Sequence, residues 1–157
     1  MQQSAPWNQL PLTHVVSAVK SRIRQTAWRQ LAPYGLSPQQ FQMLMAVAEE
    51  EGACPGDLAR RTWMDKPTAS RVLRALETRR LLRIEPDPLH GRKLKVFLDP
   101  GAHSLVQELL RLRADFRENL ELGLSVSERA EVRRILAKVM DNLDRMEGAP
   151  LPVGVGR

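Results

Sequence analysis

Lys66, Pro67, Thr68, Ser70, Arg71 and Arg74 crowd into one stretch, DKPTASRVLRALETRR from Asp65 to Arg80. The set is compact hydroxyls, an ammonium and two guanidinium forks. Such forks pair bidentately with guanine edges, and hydroxyls reach bases or phosphates, so the chemistry they suit is nucleic-acid recognition rather than bond-making. The spacing around them is helical. Ala69, Val72, Leu73 and Leu76 form an apolar stripe, Asp65 can cap the helix, and Pro67 stands in the first turn, where a missing N–H costs nothing. The opposite side carries Pro67, Thr68, Ser70, Arg71, Arg74 and Thr78, with Glu77 as counter-charge. A merely solvated helix interleaves Glu with Lys or Arg for i,i+4 support. This face instead places short donors near its N-terminus and arginines one turn on, which suits entry into a DNA major groove.

An isolated basic helix is usually just surface, so the flanks decide. Upstream, PGDLARRTWM predicts a second short amphipathic helix with Leu58, Ala59 and Trp63 inward and a tight turn after it. Trp63 and Met64 are expected to pack that turn. Downstream, LLRIEP and KLKVFLD alternate as two strands around a Pro/Gly loop tipped with Arg92. Helix, turn, helix and basic hairpin make a winged helix-turn-helix. The expected fold class is mainly α with a small β wing, a winged core with further helices for dimerisation.

Charge agrees with that reading. The 157 residues carry a formal net charge of +6. Between Arg60 and Lys95 there are eleven Lys/Arg and four Asp/Glu, a local +7, so the remainder is close to neutral. The basicity belongs to the winged segment and implies an anionic partner. One cysteine, Cys54, excludes an intrachain disulfide and fits a reducing compartment. No apolar run approaches the ~20 residues of a membrane span, and MQQSAPWNQ lacks the basic start and apolar core of a secretion signal. The expectation is a cytoplasmic protein with no membrane partner.

In chain order, Met1 to Pro6 reads as frayed. A helix follows from Leu10 or Leu12 to Leu31, with Leu12, Val16, Val19, Ile23 and Ala27 on one face and Lys20, Arg22, Arg24 and Arg29 on the other. Pro33-Tyr34-Gly35 stops it. Ser37-Pro38-Gln39-Gln40 opens the next helix with a capping box, and Phe41, Leu44, Met45 and Ala48 give its core face. Glu49, Glu50 and Glu51 then sit at a C-terminal end whose dipole disfavours them, so fraying is expected there. After the wing, Asp99-Pro100 caps a long helix to about Leu122 with a spine of Leu105, Leu109, Leu112, Phe116 and Leu120. Ser125 to Glu128 is a second capping box. The last helix carries Val132, Leu136, Val139, Leu143 and Met146 in a heptad seam of barely two repeats. The Pro/Gly-rich residues from Gly148 on read as a disordered tail. The winged core needs only about residues 37–99, and the apolar faces outside it must be buried somewhere. A second copy is the economical answer, and a two-fold dimer sets two recognition helices about 34 Å apart.

This order of parts resembles the MarR (multiple antibiotic resistance regulator) family of bacterial transcription factors. The resemblance covers roughly Leu12 to Met146 and is carried by three motifs. They are GLSPQQFQML at Gly35 to Leu44, DLARRTWMDKPTASRVLRALETRRLL at Asp57 to Leu82, and DPLHGRKLKVFLDPGA at Asp87 to Ala102. It implies residues 1–34 as an N-terminal dimerisation helix, 35–99 as the DNA-binding domain, 100–147 as C-terminal dimerisation helices and 148–157 as tail. It further implies a homodimer on a pseudo-palindromic operator, a repressor in the usual case, released by a small aromatic or phenolic ligand held between the dimer helices and the DNA-binding lobe. Lys66, Pro67, Thr68, Ser70 and Arg71 match the DNA-contacting start of the recognition helix, with Arg74 a turn further on. Asp87 and Arg92 match a wing pair in which the aspartate orients a minor-groove arginine. Arg24, Trp28, Tyr34 and Phe41 fall where the crevice is lined. Core packing for Trp28 and Phe41 and a solvated Arg24 are an equal alternative. The sequence departs from the family at Arg80, where glycine is usual after the recognition helix, at His90-Gly91 in the wing tip, and at Asp99 in place of a threonine cap.

Other chemistries find little footing. Cys54 precedes Pro55 with no resolving cysteine. His14, His90 and His103 are dispersed, which gives no metal site, and no cofactor is expected. No Ser-His-Asp order, phosphate loop or HExxH is present, so an enzyme is not expected. The competing function is a winged module for sequence-neutral DNA coating, or for protein or RNA contact, with no ligand response.

Overall fold

The computed structural model describes residues 7–89, 91 and 93–148. After a 3-10 turn at Trp7–Gln9, α1 spans Leu12–Leu31, α2 Pro38–Glu49, α3 Pro55–Arg61 and α4 Lys66–Thr78. Strands β1 (Leu82–Pro86) and β2 (Leu94–Leu98) follow, then α5 (His103–Leu120) and α6 (Val126–Gly148). Mainly helical with one two-stranded sheet, this is the expected class. The chain divides by packing into two compact units, Met1–Leu110 and Arg111–Arg157. The expected frayed start at Met1 to Pro6 and the disordered tail (148–157) lie outside the described residues, apart from the close of α6.

The first unit is built around α2. Its start is the expected capping box: Gln40 N donates to Ser37 Oγ at 3.1 Å, and Ser37 N donates to Gln40 Oε1 at 2.9 Å. Met43, Leu44, Met45, Ala46 and Val47 are all buried, so the second half of α2 is enclosed on every side. The one-faced reading is corrected here: Phe41 and Ala48, assigned to the core, are only half-buried. Periodicity identifies a stripe on an amphipathic helix but cannot rank positions on a helix that is apolar all round. α4 packs on α2 through Ala69, Val72, Leu73 and Leu76, and α1, α3 and β2 close the other sides. At roughly 1.5–3 kcal/mol per fully buried aliphatic side chain, this contact dominates the placement of α4.

The sheet is antiparallel, with Leu82 opposite Leu98, Ile84 opposite Val96 and Pro86 opposite Leu94. A third segment joins it at Ala53, which bridges Val96: Val96 N donates to Ala53 O at 3.0 Å and Gly52 N to Val96 O at 2.7 Å. Gly52 has φ +81, and a Cβ there would meet Phe97 at 3.3 Å, so both backbone and space demand glycine.

The acidic end of α2 does not fray. Arg61 pairs with Glu50 and lies 3.8 Å from Glu49, while Glu51 Oε2 accepts the Leu98 N–H at 3.1 Å. The dipole argument fails because these carboxylates have partners on α3 and β2, which sequence neighbours do not reveal. Trp63 is the second correction. It is not inward but 81% exposed. α3 ends at Arg61, and the helical spacing that placed Trp63 beside Leu58 and Ala59 stops with it. Thr62 fills the inward place, buried and donating to Leu58 O at 2.7 Å.

α3 and α4 end alike. Met64 N donates to Ala59 O and Trp63 N to Arg60 O; Leu81 N donates to Leu76 O and Arg80 N to Glu77 O. Both are Schellman closures, whose pivotal residue is left-handed and normally glycine. Here the pivots are Trp63, at φ 55, and Arg80, at φ 53. The left-handed conformation is therefore present at Arg80, and a non-glycine residue in it costs roughly 1–2 kcal/mol.

In the second unit the capping box at Ser125 and Glu128 forms as expected, at 3.2 and 2.7 Å. Arg129 Nη1 reaches Glu121 Oε2 at 2.9 Å across the turn between α5 and α6. The heptad seam of α6 is not covered: Leu136 is 41% and Leu143 47% exposed.

Arg80→Gly should raise stability by about 1 kcal/mol, since the left-handed pivot then carries no Cβ. Chemical denaturation checks this: the midpoint should rise with an unchanged slope, and an unmoved or lower midpoint contradicts it.

Candidate nucleic-acid interface

α4 forms as the sequence requires. Asp65 is the N-cap, and its Oδ1 accepts the Thr68 N–H at 2.7 Å. That bond, with lesser help from Arg71, holds its carboxyl below the usual aspartate range. Pro67 occupies the first turn. Lys66, Pro67, Ser70, Arg71 and Arg74 are exposed on one side of the helix, with Thr68 half-buried beside them. Arg71 Nη2 donates to Thr68 Oγ1 at 3.3 Å, a weak tether that leaves the guanidinium pointing along the N-terminal turn. Glu77, the acid within α4, is turned aside: its Oε1 accepts the Ile84 N–H of β1 at 3.3 Å. Lys66, Arg71 and Arg74 make no ion pair among the described residues, so the face keeps its positive charge.

α4 is anchored away from that face. At the C-terminal end Arg79 donates to Gly35 O at 2.7 Å and to Tyr34 O at 3.0 Å. The sequence reading missed Arg79, and only its charge in a basic run could have drawn attention to it. α3 is fastened at its start, where the Cys54 thiol donates to Asp57 Oδ2 at 2.9 Å. This bond is the main reason the Asp57 carboxyl lies below its ordinary value, with Arg60 and Arg61 contributing.

In the wing Asp87 is buried, 7% exposed. Its N–H donates to Lys93 O at 2.8 Å, its Oδ1 accepts the Leu89 N–H at 2.9 Å, and its Oδ2 lies 3.9 Å from Lys95 Nζ. It therefore organises the base of the loop. Arg92, its expected partner, and His90 lie outside the described residues. On the outer side of β1, Arg83 stacks over the Phe97 ring, 5.0 Å from its centroid.

The four residues expected to line a crevice separate into two pairs. Arg24 and Trp28 of α1 line an open cavity of about 340 Å³, with Gln25 and with Ser37, Pro38 and Gln39 at the start of α2. Tyr34 and Phe41 do not line it. Tyr34 donates through its hydroxyl to Glu108 Oε1 at 2.8 Å, which raises its pKa by stabilising the protonated phenol. Phe41 is half-buried on α2. The resemblance could not separate these pairs, because the cavity is made by two helix segments joined through the turn at Tyr34 and Gly35. Among the described residues no group of three or more His, Cys, Asp or Glu could hold a metal ion, and no helix is long and apolar enough to cross a membrane.

Residues 34–93, which hold α2 to α4 and the wing, match the family model described as MarR family. The chain is 22% identical to the transcriptional repressor MprA of Escherichia coli (strain K12) over 144 residues, covering 90% of this chain and 82% of that protein. It is similar to the structure of Bordetella bronchiseptica BpsR, described as the mechanism for regulation of its DNA binding by 6-hydroxynicotinic acid. That match has 25% identity and a TM-score of 0.74 over 83% of this chain and 94% of the other. It also shares the fold of a mutant MarR from E. coli complexed with operator DNA, at 22% identity and a TM-score of 0.74 over 87% of this chain and 99% of that one. With the capped helix α4 and the wing in place, residues 34–93 are similar to the MarR family, and the chain has the winged helix-turn-helix fold of these structures.

Proposed function

We propose that the chain is a homodimeric transcriptional repressor that reads a pseudo-palindromic operator with α4 and the wing. The observation that carries this is the polar face of α4. Among the described residues it keeps Lys66, Arg71 and Arg74 out of any ion pair, and the one acid within the helix meets the Ile84 N–H instead. Lys66 lies at the helix start, where backbone N–H groups also favour phosphate, and acts mostly on phosphate. Arg71, helped by Thr68, Ser70 and the backbone turn at Pro67, discriminates bases, with Arg74 next in line. Asp87 shapes the wing loop so that Arg92 can enter the adjoining minor groove. The repressor sign is supported by the relative named as a transcriptional repressor, and operator binding by the fold shared with the DNA-bound MarR.

Residues 35–99 serve DNA binding in this reading, and 1–34 and 100–147 serve dimerisation. The uncovered faces of α1, α5 and α6 support a second copy as their cover. The cavity beside Arg24 and Trp28 supports a small aromatic or phenolic effector: an indole for stacking and a guanidinium for a carboxylate stand on one wall. The regulation of BpsR by 6-hydroxynicotinic acid, an aromatic carboxylic acid, points the same way.

A salt titration on a duplex selected from random DNA, beside an unrelated duplex, tests the division of labour. Arg71→Ala should cost about 1–3 kcal/mol on the selected duplex and relax preference at one position. Lys66→Ala should weaken both duplexes alike and flatten the salt slope by about one unit per contact. Equal loss on both duplexes for Arg71→Ala would move base reading to Arg74, and indifference of both variants would leave the sequence-neutral or non-DNA module standing. Arg92→Ala should reduce the preference for A·T-rich flanks, where a narrow minor groove attracts arginine; equal affinity of the parent protein for A·T-rich and G·C-rich flanks is the contrary result. Replacing Leu136 and Leu143 by Asp should abolish dimerisation and operator binding together in sedimentation and binding assays, and a monomer that binds at full affinity would refute the dimer.

A further inference from the structure

Trp63 is anomalous on two counts that point the same way. Its backbone is left-handed, φ 55, at the pivot that closes α3, a place that suits glycine. Strain of this kind is ordinarily offset when the side chain fills the core. Here the indole is 81% exposed while Thr62 beside it takes the buried position, so packing within the chain compensates nothing. Strained backbone with an uncommitted side chain is a mark of functional constraint.

We infer that Trp63 is a DNA-contacting residue whose indole lies on the sugar–phosphate backbone bordering the groove that receives α4. The inference rests on the reading of α4 as the recognition helix. Lys66 is three positions after Trp63, so their Cα atoms are at most roughly 10 Å apart. The major groove is only about 12 Å wide. A helix start that enters it therefore carries Trp63 into the groove or against its wall. The surroundings suit a polyanion: Lys66 makes no ion pair among the described residues, Asp65 is committed to the Thr68 N–H, and Arg60 and Arg61, though paired with Asp57 and Glu50, stand on the exposed surface beside the indole in sequence. The side chain suits the wall rather than the base edges. Its flat apolar face packs on deoxyribose, and its Nε1–H, a donor with no hydrogen bond among the described residues, fits a phosphate oxygen. Backbone contacts fix register and carry no sequence information.

Two measurements on Trp63→Gly and one on the parent side chain decide the matter. Trp63→Gly should raise the melting temperature by about 2–8 °C, as release of backbone strain predicts. The same variant should bind the selected and the unrelated duplex about tenfold more weakly, the scale of one hydrogen bond to a charged group. In a variant retaining Trp63 as its sole tryptophan (Trp7→Phe with Trp28→Phe), either duplex should shield the indole emission from iodide. A lowered melting temperature would show the indole packing on protein and overturn the inference. So would affinity unchanged within about twofold, a loss confined to the selected duplex, or quenching unaffected by DNA. Lys66→Ala and Arg71→Ala serve as the reference. If they lose binding while Trp63→Gly does not, only the indole contact falls, whereas if none of the three loses it, DNA reading by α4 falls as well.

Discussion

The burial of α2 is the constraint from which the rest follows. From Met43 to Val47 no position is left for water, so every neighbour must bring an apolar face. α4 meets that demand with Ala69, Val72, Leu73 and Leu76, and thereby loses its freedom to rotate about its axis. Advancing α4 by one residue would turn it about 100° and bury Ser70 or Arg71 against leucine and methionine. An unpaired guanidinium in such a place is prohibitive. The outward direction of the basic face is thus a by-product of the core and needs no interaction of its own.

Polar contacts refine what packing decides. Asp65 satisfies an otherwise orphaned N–H at the start of α4, Arg79 ties its end to the Tyr34 and Gly35 carbonyls, and Glu77 joins it to β1. Glu51 and Arg61 do the same for the end of α2. These contacts run from side chain to backbone or lie on the surface, where each is modest in energy. Their value is positional: they hold the ends of elements whose middles are already fixed by hydrophobic contact.

Most of this was legible in the sequence where local rules apply. The caps at Ser37, Asp65 and Ser125, the stripe of α4 and the strand alternation all depend on residues a few positions apart. The reading failed where the deciding partner is distant. Glu49 to Glu51 looked like a fraying end because Arg61 and the Leu98 N–H come from other elements. Trp63 looked buried because helical spacing was extended two residues past the helix. The cavity divided its expected lining for the same reason, since the Tyr34 hydroxyl is claimed by Glu108, 74 residues away. Arg24 and Trp28, one turn apart on a single helix, do line one cavity.

Arg79 grips carbonyl oxygens, and carbonyls are the part of a residue that mutation leaves alone. The joint between the recognition helix and the turn before α2 is therefore indifferent to which side chain stands at position 34. Tyr34 can be exchanged as far as this joint is concerned, provided the turn keeps its course through the left-handed Gly35. That decouples two kinds of evolutionary change. Side chains around the cavity beside α1 can drift while the mechanical link between the turn and α4 is inherited intact.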